Sequence, residues 1–505
     1  MTELRDPSKP PGWVELDEDR NPKFTDDDGM VIRNDGKLLT PAARNPWYVL
    51  MTIAGAPSDP NDHETISKNR RFWNAWACSE LKSQDRLEIA AKLGCALDEI
   101  SLWSSEEKER VVLELGQRLP GTEIPCPSNA IDLRGLFFSG RMFSRGFVFP
   151  SAVLFKGSCF QDFTTFQGSQ FRDIAGFEGV EFVANVDFRY VEFVQSAYFR
   201  GTSFNETGSF QGVAFQWNAD FRGASFTSSG EFFGVVFNHE AYFQNTNFRL
   251  LANFDGAEFK GGGNFSNSQF GADAVFTGSV FAGSPWFEGC EFNGGVWFKK
   301  GSFMDLTSFE NARFTKMVPE FFEREFYHGT VFSLQQENWP SEKATNAEVF
   351  KLLYSRLAQV MSDLHKPDDE QFFRRQEMRC KQVLEEPLPK LLLRLYGFVS
   401  DYGYSVTRPL ALLSVVFVLG FLALAVGNCP APGIDQSMQE CGWGAMGLSF
   451  GNTFAFFGFG RLYFPSGFFE GLPAWLKVLG AGQTVLGVVL LFFLGLGLRN
   501  RFRLR

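Results

Sequence analysis

At 505 residues and a formal charge of −10, the chain is long enough for several domains, and its acidity argues against sequence-independent binding to nucleic-acid phosphates. It has eight cysteines but no C-x-x-C pair, its four histidines are scattered, and no nucleophile elbow, phosphate-binding glycine loop or H-E-x-x-H occurs. Neither an enzyme nor a metal or cofactor protein is therefore expected. Sixty phenylalanines are the compositional anomaly.

Residues 1–40 carry Pro, Gly and acidic clusters such as Asp26-Asp27-Asp28 and read as a disordered arm, with no apolar run after Met1 to begin a secretion signal. Residues 41–130 read as a small, mostly helical cap. Asn45 to Thr52 resembles a short buried strand, and Asn69 to Trp76 a helix with Trp73 and Trp76 on one face. A helix with Leu87, Ile89 and Leu93 comes next, and Ser104 and Glu107 have capping-box spacing before another with Val111, Val112 and Leu115. The Asn/Arg/Trp cluster suits either a ligand or a core; covering the first exposed coil of the Phe-rich region downstream is the preferred role.

From Phe155 to Phe314 a Phe recurs at alternating steps of five and six residues without a miss, an eleven-residue period. A right-handed coiled coil shares that period. It fails here because a five-residue step turns a helix by roughly 140°, splitting the Phe into two stripes. The window also holds 21 glycines, each costing about 1 kcal/mol in a helix interior. In a squared β-helix each unit instead makes one side, its Phe pointing inward together with the residue two before it. That second position is small, as at Ser158, Ala175, Ala197, Gly208, Ala241 and Cys290, and Gly commonly stands two after the Phe, as at Gly223 and Gly256, where the chain turns. Cys159 and Cys290 are read as core.

On these residues the stretch resembles the pentapeptide-repeat proteins, with Phe for the family's usual Leu and one residue inserted in every second unit. The resemblance implies a right-handed quadrilateral β-helix over residues 131–316, with four units to a coil, begun by degenerate units at Leu133, Phe138, Phe143 and Phe149. The five-six rhythm is read as ending at Pro319, with helix after it. Some members resemble duplex DNA and bind gyrase. The window here has 10 basic and 17 acidic residues, so an acidic DNA mimic that binds a topoisomerase is one alternative.

Residues 317–400 read as a helical hairpin and an interfacial helix. Phe350, Leu353, Leu357, Val360 and Met361 make one amphipathic helix, Phe373, Cys380 and Leu384 a second, and the leucine-rich, Arg- and Tyr-containing stretch after Pro387 lies in a membrane interface. In residues 401–505, Pro409 to Gly427 has no charge and Leu472 to Leu498 only Lys477 and Gln483, so two transmembrane helices are expected. Arg408 and the arginines at 499, 501, 503 and 505 flank them, which puts both termini in the cytoplasm of a multi-pass inner-membrane protein. Cys429 and Cys441 fall in the connecting loop, either as a disulfide or as two free thiols.

That loop is too apolar for a plain connector. Trp443 to Phe454 suits a short re-entrant helix ending at the turn Gly458-Phe459-Gly460. Over residues 386–505 the layout resembles the pore modules of potassium-type channels, with Ala455, Phe456 and Phe457 where that family has threonines and valine, and Arg461 where it has an acidic residue. The candidate pore loop is Asn452, Thr453, Gly458, Phe459, Gly460 and Arg461. The expected protein sits in a lipid bilayer as a homo-oligomer, a tetramer, whose cytoplasmic solenoid couples to an ion-channel-like pore. The alternative is a membrane-anchored scaffold for a cytoplasmic protein partner, without conductance. No nucleic-acid partner is expected.

Overall fold

The computed structural model describes residues 14–15, 22–57, 59–428, 438–459 and 473–501. They belong to two units, Met1–Ser341 and Glu342–Arg505.

The first unit is a four-sided β-solenoid of about nine coils. Its strands are mostly two residues long and pair in parallel with their equivalents one coil away, as in Ala175 with Ala197, Phe182 with Phe204 and Glu192 with Ala214. Because two eleven-residue periods complete one coil, each Phe lies over the corresponding Phe of the coil before it. Four columns result. Phe177 stacks on Phe199 at 4.8 Å and 2°, Phe204 on Phe226 at 4.4 Å and 5°, Phe210 on Phe232 at 4.8 Å and 1°, and Phe215 on Phe237 at 5.1 Å and 3°. Two of the columns interleave edge-to-face, as Phe188 does with Phe199 at 87°, the arrangement favoured by the ring quadrupole.

The alternation of five and six residues has a backbone cause. After the two interleaved columns the corner takes five residues, and the second residue past the Phe adopts a left-handed conformation, with φ +66° at Gly223. That is why Gly recurs there; Tyr190, at φ 59°, occupies the same corner despite its Cβ. The small inward residues also tie the coils together. The hydroxyls of Ser158, Thr202 and Thr246 donate to the carbonyls of Leu133, Phe177 and Phe221 at 2.6, 2.7 and 2.9 Å. Cys290, fully buried, does the same toward Phe265 at 2.9 Å, and burial raises its thiol pKa far above the ordinary range. Cys159 is equally buried.

Both ends of the stack are covered. Residues 22–40, which composition assigns to a disordered arm, are ordered instead: Val31–Ile32 pairs antiparallel with Leu38–Pro41, and Thr40 pairs in parallel with Leu136 of the first coil. Val31 and Leu39 join Phe137 and Cys159 in one core, a gain in apolar burial that charge counts do not register. The stretch from Asn45 to Thr52, expected as a strand, is helix α1 (Pro46–Met51). Asn45 accepts from the amides of Trp47 and Tyr48, and Pro46 presets the first helical φ.

Helices α2 (His63–Ala77), α3 (Ser83–Leu93) and α4 (Ser105–Arg118) complete the cap, with the expected capping box at Ser104 and Glu107. On α2, Asn74 replaces a missing strand. Its amide donates to Gly146 O at 3.0 Å and accepts from Val148 N at 2.8 Å, while Trp73 Nε1 donates to Val148 O at 2.8 Å and its ring stacks on Phe147. The polar-aromatic cluster thus satisfies a sheet edge. Asn74→Leu leaves a buried N–H and C=O unpaired at that edge, so exchange of the Val148 amide should speed up by about 30-fold, read by hydrogen exchange.

At the other end the rhythm does not stop at Pro319. One residue is inserted after Phe314, and the columns resume one position later than the period requires: Phe298 stacks on Phe321 at 5.1 Å and Phe309 on Phe332 at 5.0 Å. Trp339 then covers Phe314 at 5.2 Å. Arg324 is buried in this last coil, with its guanidinium 3.9 Å from the centre of the Phe303 ring and donating to the carbonyls of Lys300 and Ser279. Burial pushes its pKa down to about 9, which still leaves it charged at neutral pH. Carbonyl dipoles and ring faces take the place of a carboxylate.

The second unit is helical. Helices α5 (Ala347–Asp363) and α6 (Pro367–Leu384) form the expected hairpin around Phe350, Leu353, Leu357, Phe373 and Cys380. Helix α7 (Pro387–Ser400) leads into α8 (Thr407–Asn428), and α9 (Met438–Thr453) and α10 (Ala474–Arg501) come after it. Helices α8 and α10 are long and apolar enough to cross a membrane, and the most apolar window of each is only 17% buried, unlike the core helix of a soluble domain.

Candidate functional site

Helix α9 enters between α8 and α10 and stops halfway along both. At its middle Ala445 and Leu448 pack with Leu424 and Leu476, which lie toward the loop ends of the two long helices. Four residues past Ala445, Ser449 Oγ donates to the carbonyl of Phe417 at 2.7 Å, and Phe417 is the eleventh of the 22 residues of α8. The carbonyl of Thr453 closes α9 against Gly487, the fourteenth of 28 in α10, so tightly that a Cβ on Gly487 would lie 2.2 Å from that oxygen.

A polar node joins the three helices there. Gln483 Nε2 donates to Ser449 Oγ at 2.7 Å and to Thr453 Oγ1 at 2.8 Å, and Thr453 Oγ1 donates to Ser449 O at 2.8 Å. Asn452 Nδ2 reaches Gln483 Oε1 at 3.5 Å. Ser449 and Thr453 are fully buried and Gln483 nearly so. An amide and two hydroxyls buried among such apolar helices are tolerated because each finds a partner inside the protein. Gly420 supplies the room, since a Cβ there would meet Gln483 Nε2 at 2.2 Å. Past the node the chain makes a short 3₁₀ turn, Ala455–Phe457, and Gly458 turns left-handed at φ +71°. Phe459 folds back to 5.5 Å from Phe450, leaving Phe456 80% exposed.

The family model of pentapeptide repeats in nine copies matches residues 243–284 and 276–318. That stretch of the ladder carries pentapeptide repeats. The matched residues lie within the first unit, and no curated protein or solved structure matches the chain.

In the second unit, the structure brings Asn452 and Thr453 into the node and sets Gly458 and Phe459 in the turn after it. Gly460, Arg461, Cys429 and the side chain of Cys441 lie outside the described residues. Sequence reading noted Gln483 only as an interruption of an apolar run and did not single out Ser449. The usable signal was an uncharged amide in a membrane-length helix, together with Ser449, Asn452 and Thr453 at i, i+3 and i+4 on a shorter one. Among the described residues no cluster of three or more His, Cys, Asp or Glu could hold a metal ion.

Proposed function

We propose that the chain is an integral membrane protein in which copies of α8, α9 and α10 assemble around an axis, as a homotetramer, into an ion-conducting pore governed by the cytoplasmic pentapeptide-repeat solenoid. The observation that carries this reading is the end of α9 at the middle of two membrane-length helices. A helix that stops at mid-depth leaves irregular backbone, from Phe454 to Phe459, where only protein or a water-filled cavity can face it. One chain with two long helices and one short one cannot enclose such a cavity, and several copies can.

The charges support cytoplasmic termini, with Arg408, Arg499 and Arg501 at one end of the long helices. The sign of the permeant ion is set by two opposed fields. The carbonyl end of α9 favours cations at mid-depth, whereas Arg461, a few residues on, favours anions. Arg461→Glu removes the second, and planar-bilayer recordings of the purified chain should show the reversal potential move toward the cation equilibrium value. Native mass in nanodiscs supplies the subunit number. A monomer with no conductance above empty bilayers would reject the pore and leave an anchored scaffold.

A further inference from the structure

Helix α7 presents a complete apolar face that no described residue of its unit covers. Leu388, Leu391, Leu392, Leu395 and Phe398 are 51 to 70% exposed, at the i, i+3, i+4, i+7 spacing of one helical stripe. The opposite face is engaged: Tyr396 lies 5.6 Å from Phe493 of α10, Arg408 donates to Gly397 O at 2.9 Å, and Ser400 is buried. Asn500 donates to Gly403 O at 2.9 Å, just past α7. These contacts fix α7 at the arginine-bearing end of α8 and α10.

We infer that this face is a docking surface for the anionic leaflet of a bilayer, with α7 lying at headgroup depth. The inference rests on the membrane reading of α8 and α10 and adds the lipid. Two observations select the occupant. Leu410 of α8 and Phe492 and Leu498 of α10, on the two helices that α7 packs against, are exposed as well, so a bilayer that covers those helices reaches α7. Lys390 and Arg394, one turn apart, flank the stripe on one side of the helix, and Arg394, Arg499 and Arg501 are exposed at the same end. Cations along the flank of an apolar stripe cannot lie in hydrocarbon, but they suit the boundary where anionic headgroups begin. Of the acids at the two ends of α7, Asp401 is already paired, 2.8 Å from Arg375 and 3.7 Å from Arg408, while Glu385 and Glu386 stand at the far end, before Pro387, away from Arg499 and Arg501.

The test places the photoreactive residue p-benzoylphenylalanine at Leu392, and separately at Leu419 of α8, in the full chain. The chain is held in nanodiscs of equal parts phosphatidylcholine and phosphatidylglycerol. Lipid adducts identified by mass spectrometry are expected at both positions. At 392 phosphatidylglycerol should be favoured about fivefold, falling to near parity when Lys390→Gln and Arg394→Gln are combined. Lipid at 419 without lipid at 392, or no headgroup preference at 392 in the otherwise native chain, would overturn the docking surface. Lipid at neither position would overturn the membrane reading itself, and this surface with it.

Discussion

Gly487→Ala should unseat α9 and, in the pore proposed above, abolish conductance, while Gly482→Ala, five residues away on the same helix, should leave α9 in place. The difference lies in what the new methyl meets. At Gly487 it would stand 2.2 Å from the Thr453 carbonyl and 2.9 Å from its carbon, backbone atoms that cannot swing aside as a side chain would. At Gly482 nothing lies within 4 Å. Restoring ordinary contact requires α9 and α10 to part by about 1 Å, an overpacking cost of about 1 to 3 kcal/mol. Separation also lengthens the bonds from Gln483 to Ser449 and Thr453, and hydrogen bonds between apolar helices of this kind are worth about 0.6 kcal/mol each. Together these amount to about 3 kcal/mol, or a fall of about 10 °C in the melting temperature of the helical unit. Gly482→Ala should hold or slightly raise that temperature through helix propensity. Equal melting temperatures for the two variants in detergent would mean that α9 is not seated against the middle of α10.

How much could be read without coordinates differs sharply along the chain. The Phe ladder is legible because one physical cause, the stacking of each coil on its neighbour, acts at every position and leaves the same spacing throughout. The last coil escapes because one residue inserted between Phe314 and Phe321 shifts the phase while the chemistry continues. At the other end, Val31 and Leu39 are ordinary residues within an acidic, Pro-containing stretch, and only the exposed edge beside Leu136 makes them strand and core. Asn45 reverses the reading of the segment after it because a side-chain cap acts on two amides that composition cannot see. In the helical unit, lengths and apolarity place α8 and α10, but the node depends on Gln483 lying opposite Ser449, far back along the chain on a different helix. No periodicity joins residues that belong to different elements.

Phe232→Ala should damage the solenoid far more than Phe326→Ala. Phe232 lies in the middle of its column, 4.8 Å from Phe210 and 4.7 Å from Phe254, and it meets Phe221 and Phe243 edge-on at 5.4 Å each. Truncation removes these contacts, and those with Phe226 and Phe248, and opens a cavity that neighbours fixed by coil hydrogen bonds cannot close, at a cost of about 3 to 5 kcal/mol. Phe326 belongs to the last coil and is only partly buried, and it meets Phe303 at 62° rather than stacked. Its loss should cost less than about 2 kcal/mol, since the site lies at the end of the stack and can collapse or admit water. The contrast also reports on cooperativity. In a one-dimensional array each coil is stabilised by its neighbours, so a central defect divides the stack into two shorter ones, each lacking a cap at one end. Urea unfolding followed by hydrogen exchange should therefore show protection lost on both sides of residue 232 in the Phe232→Ala chain and only past residue 303 in the Phe326→Ala chain. Uniform loss of protection in both would show that the solenoid unfolds as a single block.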